Sequence, residues 1–258
     1  MNTALQVDGL TVRFGSGSGA TVAVDDVNLR VEPGQVLGLV GESGSGKSTV
    51  AKAVMGLVPA ASGTISVFGK TLGGNSRRAR IERARDVQLI FQDPYSSLDP
   101  RLSVKQIIAE SLRLRRDLSE NEFEAEVAGL LDLVNLEPGF VGRLPRQLSG
   151  GQRQRIAIAR ALAVRPRLII ADEITSALDV SVQAAILNLL RDIQRREGLS
   201  MLFISHNLAT VRFLADEIAV MYHGRIVEHG AVDDIVLAPQ HDYTQALLAA
   251  VPDLANRH

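Results

Sequence analysis

Segments rich in Val and Thr, broken by Gly and Pro, predict strands over Leu5–Phe14, Thr21–Val31 and Gln35–Val40. The first two are separated by the flexible stretch Gly15–Gly19. After Gly46 the apolar positions turn to a helical period, predicting a helix over Lys47–Val58 that ends before Pro59. Gly63–Phe68 and the apolar Val87–Phe91 read as two further strands. From Asp93 the pattern changes. Leu102–Leu118 and Ser119–Leu136 carry apolar residues at helical spacing with charges on the other face, which predicts two amphipathic helices in a block ending around Pro145. Alternation of element types then resumes: a helix from Gly151, a strand at Leu168–Asp172, a helix at Val180–Glu197 and a strand at Ser200–Ser205. A further helix and short strands at Glu217–Tyr222 and Arg225–Glu228 follow.

Strands that alternate with helices imply a mostly parallel sheet covered on both faces. The expected fold is α/β, a single domain with its core in 1–92 and 148–230. An inserted helical subdomain at about 93–147 and a short C-terminal extension, 231–258, complete the predicted organisation.

Composition narrows the function. The chain has 258 residues, 46% of them hydrophobic, enough for one substantial core. A formal net charge of −1 argues against binding nucleic acid by bulk electrostatics. Without cysteine, disulfides, thiolate zinc sites and iron–sulfur clusters are excluded, and the chain fits a reducing compartment. Met1–Leu10 lacks the basic and apolar regions of a signal peptide. No apolar run approaches the roughly 20 residues that span a bilayer. The sequence therefore predicts a soluble chain whose membrane association comes through a partner.

The chemistry begins at Gly41-Glu-Ser-Gly-Ser-Gly-Lys47-Ser48, between an apolar strand and a helix. This is the G-x-x-x-x-G-K-[ST] pattern of a phosphate-binding loop. Glycines let the backbone aim successive N–H groups at phosphate oxygens, helped by the helix N-terminus. Gly41, Ser43, Gly44, Ser45, Gly46, Lys47, Ser48 and Thr49 are the residues expected around ATP. Lys47 would reach the β- and γ-phosphates, and the Ser48 hydroxyl would bind Mg²⁺.

Leu168-Ile-Ile-Ala-Asp172-Glu173 is a buried strand ending in two carboxylates, where α/β folds place ligand chemistry. Asp172 suits the Mg²⁺ shell; Glu173 is the candidate to polarise the attacking water. Leu148-Ser149-Gly150-Gly151-Gln152 opens a second helix with exposed N–H groups at its positive end. Two uses stay open for it: an ordinary helix cap, or half of a composite site that closes over another chain's ATP.

Leu148–Gln152 resembles the signature sequence of ABC ATPases, and the other elements stand in that family's order. Phe14 resembles the aromatic that stacks on adenine. Gln92 resembles the Q-loop residue that touches Mg²⁺ or water. Ser176-Ala-Leu-Asp179 is similar to the D-loop that meets the opposite subunit, and His206 to the switch histidine that contacts the γ-phosphate. The resemblance implies a P-loop ABC core with an N-terminal antiparallel β-subdomain and an inserted helical subdomain. It also implies Glu173, His206 and Lys47 as catalytic groups, Ser48, Gln92 and Asp172 around Mg²⁺, and Ser149, Gly151, Gln152 and Asp179 as nucleotide contacts.

A narrower likeness is carried by Phe91-Gln-Asp-Pro-Tyr-Ser-Ser-Leu-Asp-Pro-Arg101 and Pro239-Gln-His-Asp-Tyr-Thr-Gln-Ala-Leu-Leu-Ala-Ala-Val-Pro252. Both resemble the oligopeptide, dipeptide and nickel importer ATPases. Ile174 and Asp242 depart from that pattern, each standing where the group usually has Pro, and neither change removes a catalytic atom. The resemblance implies a peripheral ATPase at the cytoplasmic face of the membrane. Its expected partners are a second ATPase subunit, two transmembrane permease subunits and, indirectly, a solute-binding protein, with no nucleic acid. Rival classes are a non-transport ABC protein acting on DNA or ribosomes and a nucleotide-binding regulatory module that hardly hydrolyses. The lack of a long heptad insertion, a second cassette and a basic surplus weighs against the first, and Glu173 weighs against the second.

Overall fold

The computed structural model describes residues 3–15, 19–73, 76–93, 97–115 and 118–250. Pro94, Tyr95, Ser96, Val251 and Pro252 of the importer-like motifs, and part of the Gly15–Gly19 stretch, lie outside the described residues.

Two sheets form the frame. The smaller is antiparallel and four-stranded, in the order β2 (Thr21–Val31), β1 (Leu5–Phe14), β4 (Ser62–Val67) and β5 (Lys70–Thr71). The larger has six strands: β10 (Arg225–Ala231), β9 (Glu217–Tyr222), β3 (Val36–Val40), β8 (Ser200–Ser205), β7 (Leu168–Asp172) and β6 (Val87–Ile90). All are parallel except the antiparallel edge strand β10.

Successive residues of a strand face opposite sides of its sheet. Leu37, Leu39, Leu168, Ile170, Leu202 and Ile204 accordingly join the antiparallel sheet and helix α1 (Lys47–Val54) in one apolar core. Their neighbours, among them Ile169, Ala171, Met201 and Phe203, face a second core. That core is built with α3 (Val104–Leu112), α4 (Glu120–Leu133), α5 (Gly150–Leu162), α6 (Val180–Glu197) and α7 (Leu208–Leu214). Burial on both faces explains why these strands read as continuous apolar runs.

The structure corrects several element bounds. Helix α1 stops at Val54, not Val58. Gly56 adopts a left-handed φ of 68°, Leu57 N–H returns to the Lys52 carbonyl, and Arg83 Nη1 satisfies Met55 O at 3.1 Å. The two amphipathic helices are shorter than their apolar period, and β10 runs on to Ala231. Helix α2 (Arg77–Asp86) has no counterpart in the sequence reading, because its Arg-rich stretch has no apolar stripe to betray it. The C-terminal part folds as α8 (Val232–Leu237) and α9 (Asp242–Ala249).

Candidate functional site

The phosphate loop links β3, in the middle of the large sheet, to α1. Gly46 is the N-cap of α1 with φ 110°, a conformation strained for any residue with a Cβ. No side chain caps this terminus, so the helix keeps N–H groups available for an anion. The backbone is also crowded. A Cβ on Gly46 would lie 2.4 Å from the Ala23 carbonyl of β2, and one on Gly41 would lie 2.1 Å from the Met221 carbonyl at the end of β9.

Lys47 is only 3% exposed. Its ammonium donates to Gly41 O at 2.8 Å, Glu42 O at 2.7 Å and Ser45 Oγ at 3.3 Å, using all three protons on the loop itself. Burial lowers its pKa, opposed by the charges of Glu173, Asp172 and Glu42. Ser45 is buried beside it, while Glu42, Ser43 and Gly44 face solvent. Thr49 lies in the first turn of α1, its N–H bonded to Gly46 O.

Three parallel strand ends bring the other groups to this loop. Asp172, the last residue of β7, accepts from Ser48 Oγ at 3.0 Å. Burial raises its pKa, and the Ser48 hydroxyl acts in the opposite direction. A hydroxyl and a carboxylate oxygen are the hard donors that Mg²⁺ takes while keeping several waters. The Ser48–Asp172 pair fits such an ion by its donor chemistry.

Glu173 follows with φ 48°, a left-handed conformation that is costly for a residue with a side chain. Its N–H donates to Ile204 O of β8 at 2.9 Å, one bond beyond the last paired residue of β7. Oε2 of Glu173 accepts from Gln92 Nε2, just beyond β6, at 2.9 Å. The same oxygen lies 3.3 Å from Nδ1 of His206, just beyond β8. Three residues from three strand ends therefore meet on one oxygen.

Ser176, named from the sequence only as the start of the D-loop-like stretch, and the residues after His206, not named at all, brace this cluster. Ser176 Oγ donates to Glu173 O at 2.9 Å and also meets Gln92 Nε2. After His206, Asn207 caps α7 through the N–H groups of Ala209 and Thr210, and Ser205 and Thr210 bond beneath the turn. Asn directly before an apolar helix was the available signal for that cap.

Other predicted residues stand apart. Phe14, 46% exposed at the end of β1, pairs across the sheet with Thr21 of β2, the strand whose Ala23 carbonyl flanks Gly46. Ser149 caps α5 by accepting from Gln152 N–H, and Gln152 returns to Ser149 N–H at 2.9 Å. Gly151 lies against Val182 of α6, whose own N-cap is Asp179, accepting from Val182 N–H at 3.0 Å. These groups thus form a second assembly, the α5–α6 corner. Among the described residues no helix is long and apolar enough to cross a membrane.

Residues 24–176 match the family model described as ABC transporter. The chain is 49% identical over 231 residues to the oligopeptide transport ATP-binding protein OppF of Salmonella typhimurium, covering 89% of this chain and 69% of that protein. It is 48% identical over 255 residues to the glutathione import ATP-binding protein GsiA of Pectobacterium atrosepticum, covering 96% of this chain. It spans only 41% of that relative's length. Among solved structures, the dimeric post-hydrolysis ATP-binding cassette MJ0796 bound to ADP and Pi superposes with a TM-score of 0.79 at 28% identity, covering 88% of this chain and 98% of that one. The Clostridium perfringens cbiO1 cassette, part of the transporter complex cbiONQ, gives 0.81 at 27% identity, covering 92% of each chain.

Proposed function

Because this chain belongs to the ABC transporter ATP-binding family, we propose that it is the ATP-hydrolysing subunit of a membrane importer for peptides or a related small solute. The observation that carries the catalytic part is the convergence of Gln92 and His206 on one oxygen of Glu173, next to the Ser48–Asp172 pair.

In this reading the loop amides and Lys47 bind the phosphates of ATP. Phe14, at the end of β1, which pairs with the strand flanking Gly46, stacks on the base. Glu173 orients and polarises the attacking water, while Gln92 and His206 set the direction of its carboxylate. Ser48 and Asp172, with Gln92 nearby, would hold Mg²⁺, which offsets phosphate charge when bound. The α5 terminus, Ser149 to Gln152, and Asp179 face a second ATPase subunit, so that each chain completes the other's site. The segment 93–147 and the extension 231–258 are read as a helical subdomain and a C-terminal addition to one ATPase domain. Permease subunits receive the motion at the cytoplasmic face, and a solute-binding protein delivers cargo from the other side. The names of the relatives support the importer part: OppF is an oligopeptide transport protein and GsiA a glutathione import protein.

The test is Glu173→Gln. Removal of a general base costs about 10²–10⁴-fold in rate. Turnover should fall by that factor, with ATP affinity kept within about twofold, since no phosphate contact is removed. Hydrolysis left above about a tenth of the wild-type rate would remove Glu173 from the chemistry.

A further inference from the structure

The C-terminal segment reaches the phosphate loop. Tyr243, in the first turn of α9, is the acceptor for the Glu42 N–H at 2.9 Å, a bond between residues 201 positions apart. Its ring stacks on Tyr222 at the end of β9, with centroids 4.1 Å apart and planes at 28°. Tyr222 in turn leads into the β9–β10 hairpin, whose Gly224 N–H donates to Ser45 O at 2.9 Å. Two points of the loop are thereby tied to one aromatic stack.

The far end of this connection is fixed as well. Glu228 of β10 accepts from the Gln240 N–H at 2.7 Å and the His241 N–H at 3.1 Å. Burial pushes the Glu228 carboxyl up, yet the Gln240 and His241 amides, Thr244 and the His241 charge together hold the group below its ordinary pKa. His241 Nδ1 then caps α9 by accepting from the Tyr243 N–H at 3.1 Å. Ile235 is part of the second apolar core, and Val232, Leu247 and Leu248 pack, partly buried, against that core.

We infer that residues 228–243 form a strap that presets the phosphate loop for nucleotide, with Tyr243 as the positioning residue. Lys47 holds the Gly41 and Glu42 carbonyls from within the loop; Tyr243 holds the N–H of that same Gly41–Glu42 peptide from outside. Phosphate oxygens draw on the protons of Lys47, whereas the Glu42 N–H, outside the residues expected around ATP, is already given to the Tyr243 oxygen. The strap can therefore keep the first turn of the loop in place while Lys47 changes partners. Preorganisation of this kind acts on affinity, because an untethered loop must be ordered at binding. Tyr243 lies beyond the stretch matched by the family model, and its contact is made across the fold rather than along the chain.

The inference rests on the nucleotide-binding reading, and the full chain tests both. Tyr243→Phe keeps the stacked ring and removes only the oxygen. One net hydrogen bond is worth a factor of about three to ten. ATP Kd and KM should rise by that factor, with kcat at saturating ATP unchanged within about twofold and Tm nearly unchanged. Glu228→Gln, which loosens the anchor away from the loop, should weaken ATP binding in the wild-type background and add little in the Tyr243→Phe background. A Tyr243→Phe variant that loses Tm but binds ATP like wild type would reduce the contact to fold stability and overturn the strap. Additive effects of the two substitutions would overturn it too. If the wild-type chain itself bound no ATP, the functional reading would fail first and take the strap with it.

Discussion

Two helices of this protein start at glycines, both assigned to anion chemistry in the proposed reading, and they are built in opposite ways. At α1 the N-cap is Gly46, left-handed, with no side chain spending the helix's first N–H groups. At α5 the N-cap is Ser149, and a reciprocal pair with Gln152 satisfies donors at the start of that helix within the chain. The first terminus is held open by its surroundings; the second is closed by its own side chains. A terminus that must take phosphate on its own cannot afford a cap. In the proposed arrangement, the α5 terminus gains from one, because the cap keeps the helix start ordered before a second subunit closes on it.

The glycines divide the same way. Gly46 is required by its backbone, since its φ is positive and the nearest atom to an added Cβ is the Ala23 carbonyl. Gly151 is required only by a neighbour's side chain, the Val182 methyl 2.5 Å from such a Cβ. The sharpest way to break the comparison is therefore Gly46→Ala. Backbone strain and overpacking each cost about 1–3 kcal/mol. Together they should lower ATP affinity by about a hundredfold or more in a titration with labelled nucleotide. No trimming of a side chain nearby should restore it. Recovery on shortening Met221, the flexible neighbour, would show that the backbone is not what forbids the methyl.

Gly151→Ala should behave differently. Overpacking against Val182 should cost about 1–3 kcal/mol in denaturant unfolding. Val182→Ala in the same chain should return most of it, because the obstruction is a removable methyl. ATP affinity of the single chain should stay within about twofold of wild type, since the α5 terminus does not bind its own chain's phosphates in this reading. A large loss of affinity would mean that the two termini serve one site within one chain.

This contrast also marks how far the sequence could be read. The strands of the large sheet were legible because burial on both faces makes them continuous apolar runs, and Val180–Glu197 because charge and apolar positions keep a helical period. Arg77–Asp86 was not, since a helix that is polar on nearly every side carries no periodic signal. Lys47, Asp172, Glu173, Gln92 and His206 could each be named from motifs. That Gln92 and His206 meet on a single Glu173 oxygen depends on three strand ends lying side by side, which no local pattern encodes. The bond from Glu42 to Tyr243 was further still from view, because nothing near either residue announces the other.

The finest test lies in the cap. Ser149→Ala removes the acceptor for the Gln152 N–H and should cost about 1 kcal/mol of stability, the usual worth of such a cap. Thermal unfolding reads that directly, and Ser149→Thr should restore most of it because its hydroxyl can take the same place. ATP binding to the isolated chain should not change with either residue. Turnover in the assembled pair should fall with Ala and recover with Thr, since the hydroxyl that orders this terminus in the free chain also faces the partner's nucleotide in the proposed arrangement. A Ser149→Ala chain with reduced stability but wild-type turnover in the pair would leave the α5 terminus an ordinary capped helix. The difference between the two termini would then be one of folding, and the composite site would have to be abandoned.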